Sequence, residues 1–134
     1  MPGRFVDSNV LIYAFTTDAR AATAQAVLER GCPAGVQGLN EFTNVARRKL
    51  RMTWRDVRDA LAAIRIVCRP IVPIDIDTHA DALRLAERHG FSIFDALMIA
   101  AALRTGCDAL LSEDLQHGMV IDGRLRVVNP FRDE

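Results

Sequence analysis

The fold of this chain is decided near its beginning, by the stretch Arg4-Phe5-Val6-Asp7-Ser8-Asn9-Val10-Leu11-Ile12-Tyr13-Ala14. Its first apolar residues predict a short strand, Ser8 and Asn9 are typical helix-capping residues, and the apolar run that follows predicts a turn of helix. Asp7 therefore falls where a strand gives way to a helix. Because ligands bind outside the carboxyl ends of the strands in open α/β sheets, we expect Asp7 to face a binding site.

The length and composition predict one folded unit. The chain has 134 residues, of which 50% are hydrophobic, enough for a continuous core, so we expect a single domain over residues 1–134. Its three cysteines, Cys32, Cys68 and Cys107, are widely spaced and predict reduced thiols rather than disulfides or a zinc site. The sequence shows no cleavable leader and no apolar run long enough for a membrane span, which predicts a soluble, cytoplasmic protein.

The remaining segments alternate between helix and strand patterns. We predict helices over 18–30, 39–51, 54–66 (capped by Thr53), from Asp77 or Thr78 to 89, and over 94–103, with strands over 34–38, 69–74 (edge or extended) and 109–111 and a hairpin over 120–128. This order predicts an α/β fold in which a central, mostly parallel, twisted sheet carries helices on both faces.

Four carboxylates stand out from this pattern. Asp7 and Asp114 each follow an apolar strand, Asp95 begins a helix that is otherwise apolar on all sides, and Glu41 lies on the polar stripe of its helix. Two strand ends and two helices can converge at the carboxyl edge of the sheet. Because clustered carboxylates repel one another unless a cation is present, and no His or Cys ligands accompany them, the set predicts Mg²⁺ or Mn²⁺. Such a site suits phosphodiester hydrolysis.

Each acid also has an ordinary structural explanation. Ser92 and Asp95 fit a capping box, Glu41 fits an exposed helix position, and Asp7 or Asp114 fits a helix cap or a turn. The four together favour the catalytic interpretation, because capping does not require acids beside small hydroxyl residues at both strand ends.

The balance of 17 basic and 17 acidic residues argues against a protein that coats nucleic acid by bulk charge. One local basic cluster remains, and it comprises Arg47, Arg48, Lys49, Arg51, Arg55 and Arg58. A solvated helical surface is its ordinary interpretation. Arg48 shares the polar stripe of Glu41, so we select it as a contact to a substrate phosphate.

Five segments, in order, resemble the successive motifs of the PIN domain, specifically of the VapC-type toxins of bacterial toxin–antitoxin pairs. They are Phe5 to Ala14, Leu39-Asn40-Glu41-Phe42, Phe94 to Leu103, Leu111-Ser112-Glu113-Asp114-Leu115-Gln116-His117-Gly118 and Val128-Asn129-Pro130-Phe131. Each motif alone is weak, but five in register cover essentially the whole chain. Ser8 is one departure, because the family more often has threonine there.

The resemblance implies a PIN-like fold and a Mg²⁺- or Mn²⁺-dependent endoribonuclease, usually a homodimer, that a VapB-type antitoxin holds inactive. It implies that Asp7, Glu41, Asp95 and Asp114 form the catalytic site. Metal binding falls to Asp7, Asp95 and Asp114, with Asn9 and Ser112 as polar support. Glu113 is an additional acid whose role stays open, since it is able to replace Asp114 as the ligand.

Two other functions remain in view. A non-catalytic PIN-like module would bind RNA or protein without cleaving it, although such modules typically lack part of the acidic set that this chain retains. A phosphatase is suggested by Asp75-Ile76-Asp77-Thr78, but the threonine falls one position too early for the phosphotransfer motif. His117 lies near enough to Asp114 in sequence to touch a substrate, although a surface turn is its ordinary interpretation.

Overall fold

The computed structural model describes residues 3–132. Its elements in chain order are β1 (Arg4–Val6), α1 (Ser8–Tyr13), α2 (Ala21–Glu29), β2 (Ala34–Gly35), α3 (Val36–Arg48), α4 (Trp54–Val67), β3 (Ile71–Val72), α5 (Ile76–His89), α6 (Ile93–Arg104), β4 (Ala109–Leu111), β5 (Val120–Ile121) and β6 (Leu125–Val128). No helix of this described part has the length and apolar character that a membrane span requires.

The larger sheet has the strand order β1-β4-β6-β5. β1 and β6 each pair with β4 in parallel, and only the hairpin of β5 and β6 is antiparallel. A separate parallel pair joins β2 to β3. The expected mostly parallel sheet is confirmed.

Helices cover both faces of the larger sheet because its side chains alternate. Phe5, Leu110 and Val127 are buried in a core with α5 and α6, whereas Val6 and Leu111 are buried in a second core with α1 to α4. Burying each such side chain contributes roughly 1.5–3 kcal/mol, so both layers depend on these short strands. The predicted three-layer arrangement is confirmed.

Several helix starts differ from the predictions, because local hydrogen bonds of aspartate side chains set where the helix begins. α1 is capped by Asp7, whose carboxylate accepts from the Ser8 amide, and not by Ser8 or Asn9. α2 begins at Ala21 rather than residue 18, because the Asp18 carboxylate accepts from the Arg20 amide and closes a turn.

α5 begins earlier than predicted. Its cap is Asp75, which accepts from both the amide and the hydroxyl of Thr78 at 2.8 and 2.7 Å, so neither Asp77 nor Thr78 caps it. These hydrogen bonds lower the pKa of Asp75. The sequence that suggested a phosphatase is therefore a helix cap.

The segment predicted as a strand over 34–38 is mostly helix. Only Ala34 and Gly35 pair with β3, and α3 begins at Val36 with the extended Gly35 as its cap. A Cβ atom at position 35 would lie 3.3 Å from the Phe5 ring, so glycine lets the chain pass close to β1 before it turns.

Other predicted elements agree within three residues at their ends. Thr53 caps α4 by accepting from the Asp56 amide, and Gly90 ends α5 with a φ of +76°. The hairpin turns through Asp122 and Gly123, both with positive φ, as an Asp-Gly turn requires.

Candidate active site

The main chain brings Asp7 and Ser112 together. Val6 and Leu111 are register partners in the parallel pair of β1 and β4, so the residue after each strand emerges at the same edge of the sheet. The Asp7 amide still donates to the Leu111 carbonyl at 3.0 Å. The Ser112 hydroxyl then donates to Oδ2 of Asp7 at 2.7 Å. Asp7 and Ser112 thus lie at the carboxyl end of adjacent strands, as the sequence predicts for a site residue.

Asp7 is a buried carboxylate with an unusual proton affinity. Only 6% of the residue is exposed. The pKa of Asp7 is raised to about 6, chiefly by burial and in smaller part by repulsion from Glu41 and Asp114, while hydrogen bonds from Ser112 and the Ser8 amide act in the opposite direction. The protein therefore holds a carboxylate where its negative charge is costly.

Glu41 reaches this site from α3. Its Oε1 accepts from the Ser8 hydroxyl at 2.7 Å, and its Oε2 accepts from Nε2 of Gln37 at 2.9 Å. Ser8 is also within 3.3 Å of Oδ1 of Asp7. A single serine therefore links the two acids, which retains the hydroxyl that the family more often supplies as threonine.

Asn9 joins the other acid to the site. Its Nδ2 lies 3.3 Å from Oδ2 of Asp7 and 3.3 Å from Oδ2 of Asp114, and 3.4 Å from the Ser112 hydroxyl. Its Oδ1 accepts from the Glu113 amide at 3.2 Å. Asn9 is itself buried. It therefore fixes the loop after β4 relative to Asp7.

Ser112 orders that loop from the other side. Its Oγ accepts from the amides of Asp114 and Leu115 at 3.2 and 3.3 Å while its hydroxyl proton goes to Asp7. The residue is fully buried. Asp114 itself is exposed, unlike Asp7.

Asp95 lies in the first turn of α6, on the far side of Glu41. Its amide donates to Oγ of Ser92 at 3.1 Å, so the expected cap forms through the backbone of Asp95 and leaves its side chain out of that bond. A side cavity of about 340 Å³ is lined by Asp95 and Glu41. The structure therefore places Asp95 next to Glu41 rather than against Asp7.

A larger cavity, the main cleft, has a volume of about 760 Å³. The acids Glu41, Glu113 and Asp114 line it, and its other lining residues are Ser8, Asn9, Ile12, Tyr13, Thr16, Thr17, Asp18, Asn44, Val45, Lys49 and Leu50. Glu41 lines both cavities and so connects them.

The donor chemistry of the site suits a hard cation. Asp7, Glu41 and Asp114 supply carboxylate oxygens beside hydroxyl and amide oxygens. Burial, with a smaller contribution from Glu41 and Asp114, raises the pKa of Asp7, and a nearby cation would favour its charged form. Within residues 3–132, no three His, Cys, Asp or Glu side chains converge closely enough to hold a metal ion. Here Ser8, Asn9 and Ser112 hold the acids apart by hydrogen bonds, so a cation would have to draw the carboxylates closer together.

The basic cluster contributes to the site differently from the prediction. Arg48 is exposed and does not line either cavity, whereas its neighbour Lys49 lines the main cleft. Arg47 donates to the Met52 carbonyl at 2.7 Å and stacks 4.3 Å from the ring centre of Trp54, so it organises the turn between α3 and α4. The choice of Arg48 as a substrate contact stays a prediction, and Lys49 joins it.

Some participants were missed by sequence reasoning. Gln37 lies four residues before Glu41 on α3, a spacing that would have revealed the contact. Tyr13 and Arg20 both bind the Glu113 carboxylate, which no local spacing indicates. His117 accepts through Nδ1 from the Asn129 amide at 3.0 Å and so supports a turn.

Comparisons with known proteins identify the family and agree with the fold. The family model of the PIN domain matches residues 4–118. The solved structure of VapC20 from Mycobacterium tuberculosis, a sarcin–ricin loop cleaving toxin, is 25% identical, covers 83% of this chain and 91% of that chain, and has a TM-score of 0.67. No match was found among curated proteins.

Two further solved structures share the fold. A toxin–antitoxin complex from Klebsiella pneumoniae is 20% identical over 97% of this chain and 99% of that chain, with a TM-score of 0.72. VapBC2 from Rickettsia felis, bound to a DNA fragment from its promoter, is 13% identical over 94% and 98%, with a TM-score of 0.66. The expected resemblance is confirmed, and the chain belongs to the PIN domain family.

Proposed function

We propose that this chain is a Mg²⁺- or Mn²⁺-dependent endoribonuclease and the toxin of a toxin–antitoxin pair, with residues 1–134 forming one PIN domain in the cytoplasm. One observation carries the proposal. The buried Asp7 carboxylate lies at the carboxyl end of β1, where burial and the charges of Glu41 and Asp114 raise its pKa. Glu41 and Asp114 line the main cleft, and Ser8 and Asn9, which also line it, contact the Asp7 carboxylate. Burying an acid among other acids costs stability, which a binding function explains and helix capping alone does not.

The likeness to VapC20 supports the choice of a nuclease. That protein cleaves the sarcin–ricin loop, and it shares this fold at 25% identity over most of both chains. A bound cation would activate a water molecule and offset charge on the phosphoryl oxygens, so that hydrolysis leaves a 5′-phosphate and a 3′-hydroxyl. We assign metal binding to Asp7, Asp95 and Asp114, with Glu41 as the fourth catalytic acid.

The polar residues of the site keep the acids in place. The Ser112 hydroxyl donates a hydrogen bond to Oδ2 of Asp7. Nδ2 of Asn9 lies 3.3 Å from a carboxylate oxygen of Asp7 and 3.3 Å from one of Asp114. The Ser8 hydroxyl holds Glu41 at 2.7 Å. These contacts order Asp7, Glu41 and Asp114 around one site, within which a bound cation would draw the carboxylates closer together.

We also propose a VapB-type antitoxin and a second copy of the chain as partners. The relatives from Klebsiella pneumoniae and Rickettsia felis are toxin–antitoxin assemblies, which supports the first. For both partners, the resemblance implies a binding surface on the segments predicted as helices over 18–30 and 39–66, which carry more apolar and arginine side chains than a small monomer needs. The large exposed apolar residues lie only partly there: Ile66, 67% exposed, is on α4, whereas Ile76 and Leu83, 77% and 52% exposed, are on α5. Such residues favour association.

The experiment is cleavage of a defined RNA by the purified chain in Mg²⁺, Mn²⁺ or EDTA, with sequencing of both new ends. We expect cleavage in either metal, none in EDTA, and 5′-phosphate ends. Asp7→Asn should abolish cleavage, because it keeps the shape of the side chain and removes the charge.

Asp59→Asn is the matched control, because Asp59 is exposed on α4. RNA binding measured in Ca²⁺ separates the two functions that the sequence left open. A protein that binds RNA but does not cleave it in any metal is the non-catalytic module, and the nuclease proposal then fails.

A further inference from the structure

The segment that joins α1 to α2 forms one wall of the main cleft. Thr16, Thr17 and Asp18 line the cleft from this segment, which belongs to no helix or strand. Nε2 of Gln25 donates to the Ala14 carbonyl at 2.8 Å near its start. Within the segment the hydrogen bonds are local: the Phe15 and Thr16 amides donate back to α1, and the Asp18 amide donates to the Thr16 hydroxyl. Such turns do not fix where the segment lies relative to the acids across the cleft, so contacts from a distant part of the chain are needed for that.

Glu113 supplies such contacts at both ends of the segment. Its Oε1 accepts from the Tyr13 hydroxyl at 2.8 Å, and its Oε2 lies 2.9 Å from Nε of Arg20. The Arg20 guanidinium also lies 4.9 Å from the ring centre of Tyr13. Tyr13 ends α1 and Arg20 precedes α2, so this one carboxylate joins the residues that flank residues 14–19.

The same residue is tied to the acidic site through its backbone. The Glu113 amide donates to Oδ1 of Asn9, whose side-chain amide contacts both Asp7 and Asp114. Both carboxylate oxygens of Glu113 are engaged with Tyr13 and Arg20, whereas the neighbouring Asp114 is the acid that Asn9 holds beside Asp7. The geometry therefore favours Asp114 over Glu113 as the metal ligand.

We infer that Glu113 is a positioning residue that, through Tyr13 and Arg20, holds residues 14–19 as the RNA-facing wall of the main cleft. This inference rests on the proposed ribonuclease function for the identity of the substrate. Thr16 and Thr17 are then the hydroxyl residues that meet the RNA beside the acids. Loss of Glu113 weakens RNA binding and leaves the chemical step and the metal site intact.

The test is Glu113→Gln, which keeps the side-chain size and an oxygen able to accept from Tyr13 but loses the ion pair with Arg20. Because that pair is partly exposed, we expect KM for RNA to rise about threefold to tenfold with kcat within about twofold of wild type. Mn²⁺ affinity, measured by calorimetry without RNA, stays unchanged. Amide hydrogen exchange over residues 14–20 becomes faster.

Two variants provide the comparison. Glu87→Gln removes one negative charge from the exposed surface of α5 and should change none of these quantities. Arg20→Gln should raise KM at least as much as Glu113→Gln, because it removes the same ion pair and also the guanidinium contacts with Asp18 and Tyr13. The double variant should be no worse than Arg20→Gln alone, because the ion pair is lost only once.

Two results overturn the inference. A fall in Mn²⁺ affinity in Glu113→Gln shows that Glu113 binds metal, and unchanged KM and exchange show that the cluster is only a surface ion pair. If the wild-type chain cleaves no RNA, the proposed function fails separately. Amide hydrogen exchange over residues 14–20 then still shows whether Glu113 holds this segment in place, but the claim that the segment contacts RNA is withdrawn.

Discussion

Replacing Asp7 with asparagine should stabilise the metal-free protein at neutral pH while removing its activity. Burial, with Glu41 and Asp114 nearby, raises the pKa of Asp7 from 3.8 to about 6. Between these values the folded protein holds a proton that the unfolded chain has released. The free energy of unfolding therefore falls as pH rises through this interval, and it stays lower above pH 6.

The size of the effect follows from that shift. A difference of roughly two pKa units corresponds to about 3 kcal/mol, which the wild-type protein loses between about pH 4 and pH 6. Asparagine caps a helix about as well as aspartate. Its Nδ2 group replaces Oδ2 of Asp7 and cannot accept the hydrogen bonds from Ser112 and Asn9, a loss that costs about 1–2 kcal/mol. The expected net gain at pH 8 is about 1–2 kcal/mol, or roughly 3–8 °C in Tm.

The assay is thermal unfolding of wild type, Asp7→Asn and the control Asp59→Asn in EDTA from pH 4 to pH 8. We expect the advantage of Asp7→Asn to grow as pH rises and to be absent near pH 4. Adding Mg²⁺ should reverse the order, because only the wild type gains stability from binding the cation.

One result would refute the reasoning. If Asp7→Asn melts below wild type by the same amount at every pH, the carboxylate stabilises the fold as a helix cap and hydrogen-bond acceptor. The negative charge of Asp7 then does not destabilise the folded protein, and its burial no longer supports a cation site.

Three further outcomes are expected. Asp95→Asn should abolish cleavage with a Tm change below about 2 °C, because the cap of α6 uses the backbone amide of Asp95, and a large fall in Tm would point to a structural acid. Lys49→Ala should reduce the slope of log RNA affinity against log salt by about 0.7, at least as much as Arg48→Ala, and equal slopes for both variants and wild type would place the RNA elsewhere. Light scattering at micromolar concentration should give a dimer that Leu83→Glu or Ile66→Glu dissociates, and a monomer across that range would contradict the proposed homodimer.

Much of the fold was accessible from the sequence because its signals are local. Short apolar runs predicted β1 and β4, and the nearly continuous apolar run of residues 94–103 predicted the buried helix α6. The helix starts that were predicted wrongly depend on which side chain accepts a hydrogen bond from a backbone amide. Asp75 rather than Asp77 caps α5, and Asp18 closes a turn, so that α2 begins three residues later than predicted. Neighbouring residues of the same type compete for these hydrogen bonds, and the local sequence pattern does not show which of them forms the bond.

The sequence alone identified the candidate acids and predicted that two of them, Asp7 and Asp114, follow strands. Only the tertiary structure decided how they are grouped. Pairing of β1 with β4 brings Asp7 to Ser112 across 105 positions of sequence, and the packing of α1 against α3 brings Ser8 to Glu41. These contacts depend on strand register and helix packing, which no short-range spacing encodes. The contacts of Glu113 with Tyr13 and Arg20 could not be predicted from the sequence either, because they join residues about 100 positions apart and depend on the tertiary packing.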